Sequence, residues 1–558
     1  MRRENIADLW WRSSVIYCLD VETFLDADGD GTGDLQGLAR AVDYIADLGA
    51  DVIWLMPFYP TPNRDDGYDV TDFYGVDARY GTHGDLLEVI RLAHDRGIRV
   101  IVDLVVNHTS DEHPWFQSAR SSRTSPYRDF YVWRDEKPEN DANTVFPGEE
   151  SSMWEWEPRT RQYFLHSFYR HQPDLNFGNP RVRDEIAKAI AFWLSLGIDG
   201  FRVDAVPFLI DVPHEGVADP HEYLRDIKRF LRRRSPQAVL LGEVGLDHAG
   251  QEPYFGAGGD ELDLQFDFET NVAMYLALVR EDPEPIVRAI RSRMAPSSDV
   301  GWAIFLRNHD ELSLELLAED ERAEVFDALA PDEDQRVYGR GIVRRLPPML
   351  GGDPRRVRLA YSLMFSLPGA TALLYGEEIG MGENPALEKR RAVRTPMQWT
   401  AQGGFSTAEA AELVAPFPEG GYAPEHVNVA DQRRDPTSLH RFMRAIIAAY
   451  RATPAISWGA FEVLEHDAPS VLVHRMRSDV GDALFAHNLG GSPATVRIRL
   501  DEADDAVLID LHGESAPLEV SDPLELALDG YGYRWFRLRR ESDIGPDEAG
   551  PTVRGHAP

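Results

Sequence analysis

Apolar positions along the first 380 residues fall into two alternating textures. Short runs rich in Val, Ile and Leu, such as 51–58 (DVIWLMPF) and 98–108 (IRVIVDLVVNH), are continuously apolar, the pattern of a parallel strand covered on both faces. Between them 84–97 (GDLLEVIRLAHDRG) carries its apolar positions at helical spacing and closes on a glycine. Strand-like runs recur at 198–206, 237–244, 261–268, 301–310 and 370–380, and with 14–20 they make eight. Eight strand–helix units of this kind predict an α/β fold, a (β/α)8 TIM barrel.

The rhythm breaks once. About ninety residues separate the third and fourth strands, too many for a loop, and predict an aromatic-rich domain inserted over 109–178. The barrel then occupies 1–108 and 179–455. After about 460 the texture changes to short alternating strands (SVLVHRMRS, ALFAHNLG, ATVRIRL, YGYRWFRLRR), which predict a C-terminal antiparallel β-sandwich over 456–540. The polar, Pro/Gly-rich end, 541–558, is expected to be disordered.

Composition narrows the function classes. With 558 residues, 43% of them hydrophobic, the chain can fill several cores. A formal charge of −36 opposes binding to phosphate backbones, so nucleic acid is not an expected partner. The single cysteine, Cys18, allows neither an intrachain disulfide nor a cysteine metal cluster. No stretch reads as a signal peptide or a membrane span, so a cytoplasmic location and no membrane partner are expected.

In a barrel of this type the reacting groups lie at the C-terminal strand ends. Those ends carry Asn107 and His108 on the third strand, Arg202 and Asp204 on the fourth, Glu243 on the fifth, and His309 and Asp310 on the seventh. Any one carboxylate there reads equally well as a helix cap or a surface charge. Three carboxylates converging from three strands are harder to ascribe to capping. Cleaving a glycosidic bond with retention needs one carboxylate to attack the anomeric carbon and a protonated one to serve the leaving oxygen, about 5–5.5 Å apart. Arg202, beside Asp204, is expected to keep that group ionised as nucleophile. Glu243, with no cation adjacent in sequence, is expected to keep its proton as the acid. Asp310 would stabilise positive charge, and His108 and His309 would bind sugar hydroxyls.

The motifs VVNH (105–108), GFRVDAV (200–206), GEV (242–244) and FLRNHD (305–310) resemble the four signature regions of the α-amylase superfamily, glycoside hydrolase family 13. The resemblance implies the same roles for Asp204, Glu243 and Asp310. Within the superfamily DDGYDVTDFYGVDARYGT (65–82), HQPDLNFGNP (171–180), RNHDELSLE (307–315) and VRTPMQW (393–399) are similar to the trehalose synthase group, maltose α-glucosyltransferases. That likeness implies that Tyr68 stacks on a glucose ring, that Asp65 and Arg394 pair across the far end of the pocket, and that Glu311 joins the sugar-binding set. Intramolecular conversion of maltose to trehalose is the leading expectation. An exo-acting α-glucosidase, or an α-glucosyltransferase using another acceptor, shares the donor site, and a non-catalytic carbohydrate-binding protein is the alternative of another class. Two segments depart from the group: GEVGLDHAG follows the acid/base strand where AEANQWP is usual, and EKRRA (388–392) replaces DRNG before VRTPMQW.

One further motif, DADGDGTGD (26–34), spaces Asp26, Asp28, Asp30 and Asp34 like an oxygen-ligand calcium loop. Its twelfth position is Gly37 rather than a bidentate Glu, and a strand precedes it, so a static Ca2+ site is expected rather than a sensor, with Thr32 lending its backbone carbonyl. The family resemblance implies a second calcium site at Asn107, Asp174 and Asp211.

Overall fold

A computed structural model describes residues 9–138, 144–211, 219–293, 299–479, 481–500, 506–513 and 516–540. The tail expected to be disordered, 541–558, lies outside them. Strands β1 (Val15–Leu19), β2 (Val52–Leu55) and β3 (Arg99–Leu104) are buried along nearly their whole length, as their unbroken apolar runs require. Between β3 and the next barrel strand, β4 (Trp133–Arg134), β5 (Trp154–Glu157) and β6 (Gln162–Leu165) form a small antiparallel sheet in the order β4-β6-β5. The barrel resumes with β7 (Gly200–Val203), β8 (Val239–Gly242), β9 (Leu264–Phe266) and β10 (Gly301–Phe305).

Next come β11 (Leu312–Ser313), β12 (Arg336–Val337) and β13 (Gly341–Ile342), a three-stranded sheet absent from the expectation because strands of two residues leave no readable alternation. Strand β14 (Ala370–Leu374) closes the ring β1-β14-β10-β9-β8-β7-β3-β2, parallel throughout. The register places Asp103 opposite Arg202 and Val203 opposite Gly242, so the residues following β7 and β8 leave the barrel side by side.

Helix boundaries follow local chemistry. Helix Leu35–Leu48 starts where Asp34 accepts the Gly37 N–H at 2.6 Å and stops at Gly49, whose φ of 98° suits a residue without a Cβ. Helix His83–Asp95 opens on a capping box between Thr82 and Asp85. Among the described residues no helix is long and apolar enough to cross a membrane.

The C-terminal unit consists of β15 (Ala460–Val463), β16 (Val471–Arg477), β17 (Asp482–Asn488), β18 (Ala494–Ile498), β19 (Ala506–Asp510), β20 (Leu518–Glu519), β21 (Leu524–Leu528) and β22 (Tyr533–Arg540). A six-stranded antiparallel sheet, β15-β16-β17-β22-β19-β20, faces the pair β18-β21 across a core that includes Val473, Leu484, Val496, Leu526 and Phe536. Its other face docks on helix Pro354–Ser366 of the barrel. There His474 Nε2 lies 3.0 Å from the Ser366 carbonyl, His487 Nε2 lies 2.9 Å from Ser362 Oγ, and Trp535 Nε1 donates to the same Oγ at 2.9 Å.

The two imidazoles stack on each other and are fully buried. Burial pushes His474 down to about 4, and His487 well below the ordinary range. A histidine depressed in the folded state adds nothing to the pH dependence above its unfolded pKa and costs stability as pH falls below it. For His474 the window runs from about 6.5 down to about 4, which corresponds to a total on the order of 3 kcal/mol. Urea unfolding of the protein should therefore weaken between pH 7 and pH 4.5, and His474→Leu should lose about 2 kcal/mol less over that range. Parallel pH slopes for the two proteins would mean that this imidazole does not govern acid lability.

Candidate active site

The mouth of the barrel is organised around one cation. Arg202 is 1% exposed, and its Nη1 donates to Asp103 and, at 2.5 Å, to Asp204 Oδ1, while its Nη2 lies 2.6 Å from Glu243 Oε2. Three carboxylates from β3 and from the ends of β7 and β8 thus share one guanidinium. Asp103 is the member that motif reading missed: it lies inside an apolar strand and was absorbed into the expected core. Its signal was a charged residue in an otherwise unbroken apolar run. Trp54 Nε1 donates to Asp103 Oδ2 at 2.8 Å, which orients the carboxylate. Between the two reacting candidates, Ala205 holds φ at 47°, a strained value for a residue with a Cβ, and donates its N–H to Glu243 Oε2 at 3.1 Å.

The structure refines two expectations about charge. Glu243 does have a cation beside it, in space rather than in sequence. Asp204 is not held at a low pKa: burial outweighs Arg202 and pushes it up to about 6, and Glu243 up to about 7. What survives is the order, with Asp204 the more readily ionised. Asp310 departs in the opposite direction. Burial alone would raise it, but His309, Arg390 and Arg394 together hold its carboxyl well below the usual range. Both arginines reach the same oxygen, Oδ1, at 2.8 Å, and His309 Nε2 stands 3.2 Å from Oδ2.

The far end of the pocket also differs from the expectation. Arg394 pairs with Asp66 at 2.8 Å, not with Asp65. Asp65 pairs with Arg390 at 2.7 Å and accepts from Gln172 Nε2 at 2.9 Å. The reason is geometric: Arg390 reaches between Asp65 and Asp310 and takes the place expected of Arg394. Arg390 belongs to EKRRA, the segment that departs from the trehalose synthase pattern. Glu311 is half-buried beside this group, and desolvation raises its carboxyl.

Tyr68 lies parallel to His309, with ring centroids 5.8 Å apart and its Oη 2.6 Å from His309 Nε2. His108 was expected to meet a sugar hydroxyl. Its Nε2 instead lies 3.2 Å from the Tyr68 carbonyl, and burial pushes the ring down to about 3, so it is neutral. Over these groups sits an aromatic wall built from three parts of the chain. Phe146 stacks on Tyr169 at 4.5 Å and meets Tyr338 at 4.9 Å, while Phe168 meets Phe208 at 5.0 Å and His108 at 5.2 Å. Lys389 ties to Glu149 at 2.7 Å, and Arg340 donates to the Val145 carbonyl at 2.7 Å. Sequence reading saw only that the inserted segment was rich in aromatics, since the partners of this wall lie from about twenty to almost two hundred residues apart. On the other side of Glu243, Gly245 is exposed and an added Cβ would meet nothing within 4 Å.

At the acidic loop, Asp26, Asp28 and Asp34 bring carboxylate oxygens within 4.8 Å of one another. The Asp30 carboxylate is not part of that group and accepts the Thr32 N–H at 2.8 Å. Gly31, at φ 94°, passes so close to the Glu412 carbonyl that a Cβ would sit 2.1 Å from it. The donor set fits a hard cation: all carboxylate oxygens, with backbone N–H groups from the turn orienting Asp26 and Asp34. At the second expected site, Asn107 Nδ2 donates to Asp174 Oδ1 at 3.3 Å, and Ser167 donates to both Asp174 oxygens. Asp211 ends helix Val206–Asp211, and its side chain lies outside the described residues.

Comparisons with known proteins agree with this architecture. The family described as "Alpha amylase, catalytic domain" matches residues 19–329, and a sucrose hydrolase-like C-terminal domain matches 481–537. A trehalose synthase/amylase of Mycobacterium tuberculosis is 40% identical over 98% of this chain and 93% of its own. A trehalose synthase of Pimelobacter is 40% identical over 98% and 97%. Among solved structures, a trehalulose synthase mutant in complex with Tris superposes with a TM-score of 0.76 at 27% identity, covering 95% of this chain and 100% of its own.

The shared guanidinium makes a stability prediction. Arg202→Met leaves two buried carboxylates, Asp103 and Asp204, and the half-buried Glu243 without their cation and should cost about 3–5 kcal/mol at pH 7. Because Asp103, Asp204 and Glu243 already titrate at about 6, 6 and 7, the penalty should shrink at pH 5.5, where they take up protons instead. Denaturant unfolding of both proteins at the two pH values reads the difference, and a penalty independent of pH would contradict the electrostatic account.

Proposed function

The chain belongs to the α-amylase family, and from that premise we propose that it is a retaining α-glucosyl enzyme that rearranges maltose to trehalose. The observation that carries the reading is the combination of a three-carboxylate donor site with a mouth flanked by aromatic and ionic contacts. Asp204 attacks the anomeric carbon of the non-reducing glucose while Glu243 gives its proton to the bridging oxygen. The bond to O4 of the second glucose breaks and a β-glucosyl ester on Asp204 forms. The freed glucose turns within the closed site and offers its own anomeric hydroxyl. Glu243 takes that proton as the new oxygen–carbon bond displaces Asp204, with retention at the donor carbon. Asp310, kept ionised by Arg390 and Arg394, faces the positive charge that develops in both steps. Tyr68, His309 and Asp65 fix the donor ring.

Water must be kept out between the two steps. The wall of Phe146, Phe168, Tyr169 and Tyr338 supports that exclusion. The bare, exposed Gly245 favours a second reading, in which water or another acceptor enters from the Glu243 side and the enzyme acts as an α-glucosidase or a different transferase. Incubation with maltose, followed by anion-exchange chromatography, separates the two. Trehalose is expected to accumulate ahead of glucose, and Asp204→Asn to lower all turnover by at least ~10³-fold. Glucose without trehalose would replace the isomerase reading by the hydrolytic one. A single cysteine, free and buried, suits a reducing cytoplasm.

The structural role of calcium is part of the same reading. A Ca2+ held by Asp26, Asp28 and Asp34 would staple the loop after β1 to the segment around 405–414, which Asp26 and Gly31 already meet through Phe405, Ser406 and Val414. Calcium at a hundredfold excess over its Kd should stabilise the EGTA-treated protein by about 2.7 kcal/mol. Thermal melts with Asp28→Asn should lose that increment, whereas a wild-type melt indifferent to calcium would remove the ion from the account.

A further inference from the structure

At the N-terminal ends of the barrel strands, away from the carboxylates, a hollow of about 370 Å³ lies between helix Leu35–Leu48 and helix Leu439–Arg451. Three of its lining residues, Arg441, Arg444 and Arg451, share one face of the second helix. Ala445 and Ala448, both exposed, and Gly49 lie between them, and their short side chains are what leave the space open. We propose that this hollow is a binding site for a small phosphate ester.

Charge and geometry both support that assignment. The chain as a whole carries −36, yet the lining holds three arginines and one carboxylate, Asp47, which is already paired with Arg433 at 2.9 Å. At physiological ionic strength charges farther than about 8 Å are largely screened, so the local arginines set the field. Part of their hydrogen-bonding capacity is used on the fold. Arg444 Nε donates to the Asp47 carbonyl at 2.8 Å, and Arg451 donates to the Gly49 carbonyl at 3.2 Å and pairs with Asp51 at 3.1 Å. Those bonds finish the C-terminus of helix Leu35–Leu48 and explain Arg451. They leave both Nη groups of Arg444 unengaged among the described residues. Among the described residues the Arg441 side chain makes one hydrogen bond, from Nη2 to the Arg433 carbonyl. Two guanidinium edges on the rim of one hollow match the oxygens of a phosphate monoester, which the planar fork binds in pairs. The exposed methyl groups of Ala445 and Ala448 supply an apolar floor for the ester's organic part. The volume falls within the range of small-molecule sites.

The test is isothermal titration of the full chain at low salt with adenosine 5′-monophosphate and, as the anion alone, inorganic phosphate. The ester should bind at least tenfold more tightly than phosphate. Arg441→Ala should weaken it tenfold or more, and Ala448→Leu, which keeps every charge but fills the hollow, should weaken it similarly. Turnover of maltose, whose site lies at the opposite strand ends, should be unchanged in both variants. No heat with the nucleotide at millimolar concentration, equal affinity for phosphate, or binding that survives both substitutions would overturn the proposal.

Discussion

The site depends on one buried guanidinium. Without Arg202, the barrel would have to bury Asp103, Asp204 and Glu243 against one another, which no apolar environment tolerates in the ionised form. With it, each carboxylate gains a short charge-assisted bond, and the register of β3, β7 and β8 becomes a functional constraint as well as a structural one. The strand pairing that sets Asp103 opposite Arg202 also delivers Asp204 and Glu243 side by side. Sharing one cation among three anions has a chemical result. It is too little charge to hold all three low, so burial prevails and Asp204 and Glu243 rise to about 6 and 7. Two carboxyl groups poised near neutrality, one ionising before the other, are what an attacking and a proton-donating pair need.

Asp310 is treated differently, and the contrast shows how local charge divides the labour. Arg390 and Arg394 converge on one of its oxygens and each extends to a second acid, Asp65 and Asp66. The resulting chain of five charged groups ties the loop after β2 to the loops after β10 and β14. Behind it, Arg345 donates to the carbonyls of Tyr375 and Val393, and Arg307 to those of Arg344 and Asp310, so the loops that carry the arginines are themselves pinned from the core. A group fixed as an anion on this rigid lattice can stabilise transient positive charge without reorganising during the reaction.

The sequence made the barrel legible because burial on both faces writes an unbroken apolar run for each strand, and eight such runs survive in the chain. It singled out Asp204, Glu243 and Asp310 because their place at strand ends has a one-dimensional signature. It did not reveal Asp103, whose importance lies in a cross-strand neighbour, nor the exchange of partners by which Arg390 rather than Arg394 meets Asp65. Partner choice among several nearby charges is decided by loop conformation, which no spacing rule records. The wall of Phe146, Tyr169 and Tyr338 escaped for the same reason. Each residue reads as an ordinary core aromatic until segments far apart in the chain are brought together.

The two halves of the pocket are thus determined to different degrees. On the donor side Arg202, Asp103 and Asp310 are each held by several partners, so a substitution among them disturbs a network and is costly. On the acceptor side the wall rests on aromatic contacts and on a few exposed ion pairs such as Lys389–Glu149, worth little individually, and one position, Gly245, contributes no side chain at all. A wall of that kind can be rebuilt by few mutations without harming the fold or the cleavage chemistry. Whether the glucosyl ester meets a captive sugar or water is then decided by how long these weak contacts stay closed relative to the lifetime of the ester. The departures of this chain from the trehalose synthase pattern fall on both sides of the pocket: one flanks Glu243, and the other carries Arg390, which holds Asp65 and Asp310.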